Sequence, residues 1–520
     1  MQRSKMPGRD PNLAASAPLM LTGSGLTVQA VRAVARHGLP VAVEAAAVDR
    51  MAAARRLVFE LAQQDVPVYG LNRGVGWNKD RRIDATRFAD YNRNLLLSHD
   101  VGTGPEASED EVRAVLLARL NGLLLGHAGT EPAIALRYAE FLNLRIHPVL
   151  HLRGSVGAAD ITSLSPVGLA MIGEGEVRLD GRRMSAAEAL GRTGLAPLTL
   201  GPKDALAIVS SNALSAGTGA LGLADTADIL ELADLASALS LEALGGQTGP
   251  LDPAVHRARP YRGQMASMRL LRAALEGSDL EARRNAETLQ DPLSFRDVCQ
   301  IHGAARDALA YTEELLQLQL NSSDDNPCVL PEEGRIVSCA NFDPLVWVLG
   351  FEMLGGALQH VSRSSAYRML KLGNPAFTGL SRFLSPDEER YIGFGTVQKT
   401  VSALDAEIRH LAQPASGDFL SLAGDIEDHA TNAPYVVAKT RQIIRLLSDV
   451  LAVELLHAAQ AVDLRGGLRL GRGTEAVYRS VRTAASFMAE DRAVSADIRS
   501  VGRLICDGSL LRAARAAMAD

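Results

Sequence analysis

From Ala205 to Ala224 the chain carries no formal charge over twenty residues, and the segment that follows, Asp225 to Leu244, is almost free of helix breakers. Leu232, Leu235 and Leu239 recur on one helical face of that second segment, and Gly245-Gly246 supplies its stop. Twenty uncharged residues are long enough to cross a membrane. Ser210, Ser211, Asn212, Ser215, Thr218 and several glycines interrupt them, so the expectation is a helix buried among other helices. The expectation for the chain is a mainly α fold, a bundle of long helices.

Other local signals agree. Ser185 with Glu188, and Ser385-Pro386 with Glu388, read as capped helix starts, each opening an alanine- or charge-rich run. The β signal is slight: Glu176 to Leu179, the turn Asp180-Gly181, and Arg182 to Met184 predict one small hairpin. Segments 246–263 and 370–385 read as long loop-like interruptions. The organisation expected is a flexible leader over 1–18, a loop-rich N-terminal part over 19–200 that carries the chemistry, a central bundle over 201–440 and a C-terminal helical region over 441–520.

Composition bounds the partners. With 47% hydrophobic and 22% charged residues the chain can bury a large core, and a net charge of -6 shows no nucleic-acid or anionic-membrane footprint. A small molecule or a protein is the expected partner. Cys299, Cys328, Cys339 and Cys506 have no metal spacing and are too sparse for a disulfide framework, which fits a reducing cytoplasm, with no metal expected.

Two residues stand out for chemistry. Val68-Tyr69-Gly70-Leu71-Asn72-Arg73-Gly74-Val75-Gly76 is a glycine-rich loop with a phenol at its base, and a phenol serves as general base when cations or hydrogen-bond donors favour phenolate below its free pKa of about 10. Arg296, in Gln290-Asp291-Pro292-Leu293-Ser294-Phe295-Arg296, offers a planar fork that can take both oxygens of a carboxylate. Taken alone, each also has a bland reading, a structural loop tyrosine and a surface ion pair.

The motifs around them resemble one family. The Tyr69 loop is similar to Tyr-Gly-Val-Asn-Thr-Gly-Phe-Gly, Asn94 to His99 to Asn-Leu-Leu-Xaa-Ser-His, and Gln290 to Arg296 to Gln-Asp-Pro-Tyr-Ser-Leu-Arg. Asn321 to Pro327, Pro414-Ala415-Ser416 and Glu427-Asp428-His429 match further motifs in order, so the chain resembles the aromatic amino acid ammonia-lyases and aminomutases from about residue 25 to 440. The resemblance implies Tyr69 as the base that removes a β-proton and Arg296 as the carboxylate anchor. It implies Asn326 and Gln290 as neutral hydrogen-bonders, Glu427 facing the substrate amine and His99 near the substrate side chain. It also implies a homotetramer whose sites are shared between subunits.

The same resemblance exposes a loss. In that family an Ala-Ser-Gly triplet cyclises into methylideneimidazolone, and the matching segment here is Gly154-Ser155-Val156-Gly157-Ala158-Ala159-Asp160. Aligned from the left, Ala159 and Asp160 fall at serine and glycine; aligned from the right, Ala158 and Ala159 do. Either way alanine stands at the centre, and Ser155 and Ser163 are followed by Val156 and Leu164, residues ill suited to the tight bend ring closure needs. No such prosthetic group, and no other cofactor, is expected. Ser210 stands where the family has an asparagine, Leu293 for a second tyrosine, Ile426 for a glutamine and Asp343 for a histidine.

The expected function is therefore an enzyme of this superfamily working without the electrophile, with Tyr69 doing acid/base chemistry on a carboxylate-bearing substrate in specialised metabolism. Elimination of a better leaving group, conjugate addition, isomerisation and cyclisation are the reactions open to it. The alternatives are an ordinary ammonia-lyase or aminomutase acting on histidine, tyrosine or phenylalanine, and a non-catalytic binder of a ligand or a related subunit.

Overall fold

In the computed structural model, which describes residues 17–519 apart from 65 and 284–288, helices carry the architecture and strands are accessories. The leader expected over 1–18 lies almost wholly outside the described residues. The chain forms two compact units, each gathered from three separate stretches.

The first unit comprises residues 1–224, 313–349 and 414–438. Its spine is the helix Glu109–Leu123, started by a reciprocal capping box between Ser108 and Glu111. This helix is buried nearly all round, so it needs no polar face; Leu116, Leu117, Leu120 and Leu123 are fully covered, as are Tyr138 and Phe141 of the helix Pro132–Leu144. The predicted hairpin is present as Glu176–Leu179 against Arg182–Ser185, extended by His147–Pro148. Ser185 caps the helix Ala186–Thr193 by accepting from the Glu188 amide, as its sequence signal predicts.

The second unit comprises residues 225–312, 350–413 and 439–520. Leu232, Leu235 and Leu239 are buried in it, and the helix ends at Gly245, whose φ of 76° is the left-handed turn a glycine stop supplies. A wholly buried ion pair, Arg368 Nε to Glu454 Oε1 at 2.6 Å, also engages Ser240 and Ser365, so no lone pair of the carboxylate is stranded.

Three expectations are corrected. The uncharged stretch is buried throughout, but it is not one helix: Asp204–Val209 and Ala213–Leu244 are separate, with Ser210, Ser211 and Asn212 between them. The break is held by the Asp324 carboxylate, which accepts from Ser211 Oγ at 3.0 Å and from the Asn212 amide at 2.8 Å and so replaces helical bonds. Ser385 does not start a helix: its hydroxyl accepts from the Asp387 amide and donates to the Tyr391 carbonyl, but Glu388, expected to complete the capping box, accepts from the Arg382 amide instead, and the helix begins at Val397. The two loop-like segments also hold short helices, Pro253–Arg257 and Pro375–Thr378.

Candidate active site

The Tyr69 loop is shaped by its own polar groups. Asn72, buried, accepts from the Val68 amide at 2.8 Å and donates to the Val66 carbonyl at 2.7 Å, closing a tight ring behind the tyrosine. Gly70 sits at φ 65°, and a Cβ there would lie 2.0 Å from Leu206 Cδ2, so both backbone and packing demand glycine. Beyond the ring the Gly74 amide donates to the Arg81 carbonyl and the Ile83 amide to the Asn72 carbonyl, making residues 73–82 a narrow projecting loop.

The Tyr69 hydroxyl accepts from the Gly76 amide at 2.8 Å. Burial raises its pKa above the ordinary phenol value, the Gly76 amide opposes that rise, and the Glu427 carboxylate adds to it. Glu427 reaches this place through a turn pinned by reciprocal backbone bonds between Leu422 and Glu427, with Ala423, Gly424 and Asp425 all at positive φ. A Cβ on Gly424 would stand 3.0 Å from the Trp77 ring, and one on Gly76 3.6 Å from Glu427 Oε1, so the two loops lie against each other. At rest the pair is thus a neutral phenol beside a carboxylate. The sequence suggests cations or donors around the phenol; the hydroxyl itself is met by the Gly76 amide, and the charge that acts on its proton is the negative one of Glu427.

A second phenol was not singled out from the sequence. Tyr91, on the helix Phe88–His99, has its hydroxyl bonded by the Val75 amide, the neighbour of the amide that serves Tyr69; burial and then Tyr69 itself raise its pKa. The only sequence trace is an aromatic residue three places before Asn94.

Beside Tyr69 opens a cleft of about 310 Å³, walled by Val68, Pro327 and Ile336 and bearing Arg73, Lys79 and Ser338. Asn326, next to the Pro327 wall, takes the Cys339 amide on its Oδ1 at 3.0 Å, and its own amide donates to Ser210 Oγ at 3.2 Å. Ser210 and Asn326 are therefore brought together. His99 closes its helix, with Nδ1 2.7 Å from the Leu95 carbonyl and 3.0 Å from Ser98 Oγ, which leaves Nε2 for other contacts. Asp343 pairs with His429 at 3.1 Å, and Ile426 is exposed.

Arg296, Gln290 and Leu293 belong to the second unit. Leu293, 61% exposed, opens the short helix Leu293–Arg296, Gln290 is exposed before it, and the Arg296 Nε is buried without a hydrogen-bond partner among the described residues.

The segment 154–160 is held as a rigid loop. The Val156 carbonyl accepts from the Thr431 and Asn432 amides, and a Cβ on Gly157 would lie 2.5 Å from the Ala433 nitrogen. Ala159 is buried at φ 62°, and the Asp160 amide donates to the Ser211 carbonyl at 2.7 Å. Ser155 bonds Thr162 and Ser163 bonds the His151 carbonyl. Imidazolone formation expels a serine hydroxyl as water, and the methyl groups of Ala158 and Ala159 have none to expel, so the residues present do not fit that group.

Under this loop lies a buried carboxylate pair. Asp160 accepts from the Ser215 amide and hydroxyl, yet burial pushes its pKa up to about 7; Asp324 is pushed up to about 6 by burial, opposed by Arg119. The folded protein keeps the Asp160 proton to about pH 7, whereas an unfolded aspartate loses it near pH 4. Its contribution to stability is therefore complete below about pH 4 and is lost as pH rises through about 7. Asp160→Asn, which can accept from the Ser215 amide and donate to its hydroxyl, is expected to lose less stability than the parent between about pH 5 and about pH 8 in denaturant titrations. An unchanged pH slope would show that Asp160 is already ionised in the fold.

With this geometry in place, the family model for aromatic amino acid lyases matches residues 26–483. The chain belongs to the aromatic amino acid lyase family. A relative in that family, the histidine ammonia-lyase of Stigmatella aurantiaca, is 39% identical over 96% of this chain and 98% of its own. Among solved structures, ergothionase, the ergothioneine-degrading enzyme of Treponema denticola determined with desmethyl-ergothioneine sulfonic acid, is 43% identical with a TM-score of 0.93, covering 95% of this chain and 100% of the other. Tyrosine aminomutase of Streptomyces globisporus is 32% identical with a TM-score of 0.91, covering 96% and 98%. These relatives confirm for this lyase-family chain the mainly α fold that its sequence predicts.

Proposed function

We propose that this chain is a lyase that eliminates a permanently cationic amine from a carboxylate-bearing substrate, with Tyr69 as the acid/base and without an imidazolone electrophile. The observation that carries the reading is the Glu427 carboxylate set beside the buried Tyr69 phenol. Glu427 complements a cation, and a bound cation offsets the charge that now holds the Tyr69 proton. The substrate thereby lowers the pKa of its own base. Tyr69 releases its proton to solvent and, as phenolate, takes the β-proton; the C–H pair becomes the C=C bond, and the C–N pair leaves with the amine. A quaternary ammonium departs as a neutral tertiary amine and needs no electrophile, whereas a primary ammonium is a poorer leaving group.

A betaine such as ergothioneine, with a quaternary ammonium beside its carboxylate, meets these demands, and the likeness to ergothionase supports it. Arg296, with its partnerless Nε, is the proposed anchor for the carboxylate. Exposed apolar side chains on the long helices, Tyr311, Leu318, Val346, Leu349, Met353 and Tyr367, support burial in an assembly of four copies.

The second reading, histidine ammonia-lyase activity, is favoured by the name of the Stigmatella relative. One set of measurements separates the two: denaturing and native mass spectrometry, with assays for trimethylamine from ergothioneine and ammonia from histidine. The expected result is an unmodified chain mass, four copies in the native particle and trimethylamine as the released base. A mass lower by two waters, with ammonia from histidine, would sink the proposal in favour of the second reading.

A further inference from the structure

The loop that carries Tyr69 over its cleft is far more basic than the rest of the chain. Residues 73–82 hold Arg73, Lys79, Arg81 and Arg82 against a single acid, Asp80, in a protein of net charge -6. Two of these cations, Arg73 and Lys79, line the cleft beside Tyr69, together with Asp80. Arg73 is partly buried, its Nη1 resting on the neutral Asn72 carbonyl at 3.0 Å, which fixes the guanidinium without neutralising it. Lys79 pairs with Asp80 at 3.3 Å, but both are exposed, 46% and 84%, and such a pair is weak enough for a better anion to displace. Across the cleft Ser338 offers a hydroxyl, while Val68, Pro327 and Ile336 make the remaining wall apolar. A half-apolar cleft with a planar cation and a mobile one on a single loop is suited to a planar or aliphatic group that ends in an anion. At the Arg73 position the family motif has a neutral threonine, so the charge is an addition to the loop.

We propose that the Tyr69 cleft takes a second anionic group of the substrate on Arg73 and Lys79, so that the preferred ligand carries an acid in addition to its first carboxylate, a group that ergothioneine lacks. This assignment of substrate class rests on the lyase reading above for the first carboxylate only. The cations would also draw an anionic ligand toward Tyr69, an effect that weakens with salt.

The test is calorimetric titration of cinnamate, with one carboxylate, and 4-carboxycinnamate, with a second at the far end of the same frame. The native protein is expected to bind the dicarboxylate at least about tenfold more tightly at low salt. Arg73→Met should reduce that preference to near unity, and Arg73→Lys should restore part of it. Equal affinity of the native protein for both probes, or a preference that survives the double change Arg73→Met with Lys79→Met, overturns the proposal; so does the absence of binding of either probe at about 10 mM. Arg296→Met separates this from the lyase reading. It should weaken both probes by one common factor, and no effect there removes the anchor while the Arg73-dependent preference still stands or falls on its own.

Discussion

Tyr69→Phe is expected to keep ligand affinity within about twofold and to lower turnover of a competent substrate by about 10²–10⁴-fold, the range that positioned proton transfer contributes. The change deletes one oxygen, which accepts a single hydrogen bond, from the Gly76 amide. The ring stays, and with it the packing under the Asn72-closed loop, so binding and folding have little reason to change. What disappears is the only atom at that position able to take a proton. Because Glu427 adds to the pKa of the phenol, Glu427→Gln is expected to lower the acid limb of the pH–rate profile while raising KM for a cationic substrate. Steady-state kinetics over pH, with binding measured separately, decide the matter. Full turnover by Tyr69→Phe would remove Tyr69 from the chemistry.

Arg119→Met carries the second large effect, this time on stability. Arg119 is wholly buried, its Nη2 2.7 Å from Asp325 Oδ1 and its Nη1 3.5 Å from Asp324 Oδ1, and it also donates to the Ala207 carbonyl. Methionine fills much of the volume but leaves two buried carboxylates without the guanidinium they share. Removing one partner of a buried ion pair costs about 3–5 kcal/mol. The damage would be local to the site as well, since Asp324 holds the Ser211 and Asn212 break that presents Ser210 to Asn326. A lower denaturant midpoint, partly recovered at acid pH as Asp324 takes up a proton, is the expected result. Arg119→Lys retains the charge and should fall between the two. Unchanged stability in Arg119→Met would mean that the pair contributes nothing to the fold.

Much of this molecule was legible in its sequence, for reasons visible residue by residue. Periodicity placed the apolar helix face of Leu232, Leu235 and Leu239, because a 3.6-residue repeat of large apolar groups has one economical burial. Turn chemistry placed the hairpin at Asp180-Gly181 and the helix stop at Gly245, because both need positive φ. The motif order placed the family. The break after Val209 was hidden, since serines are tolerated within a helix until a carboxylate from a distant segment, here Asp324, competes for their backbone. Ser385 failed as a helix start for a similar reason: the Glu388 carboxylate of its expected capping box went to the Arg382 amide.

The site divides along the same line. Residue identity alone put a phenol at 69, a carboxylate at 427, a guanidinium at 296 and alanines where an electrophile's serine would stand, because those facts need only chemistry and order along the chain. Only the tertiary structure set Glu427 beside Tyr69, gave Tyr91 the neighbouring amide, turned Arg73 into the cleft and buried Asp160 deep enough to hold a proton. Proximity, shared donors and desolvation arise between segments that only the fold brings together, and no local pattern encodes a distance of that kind.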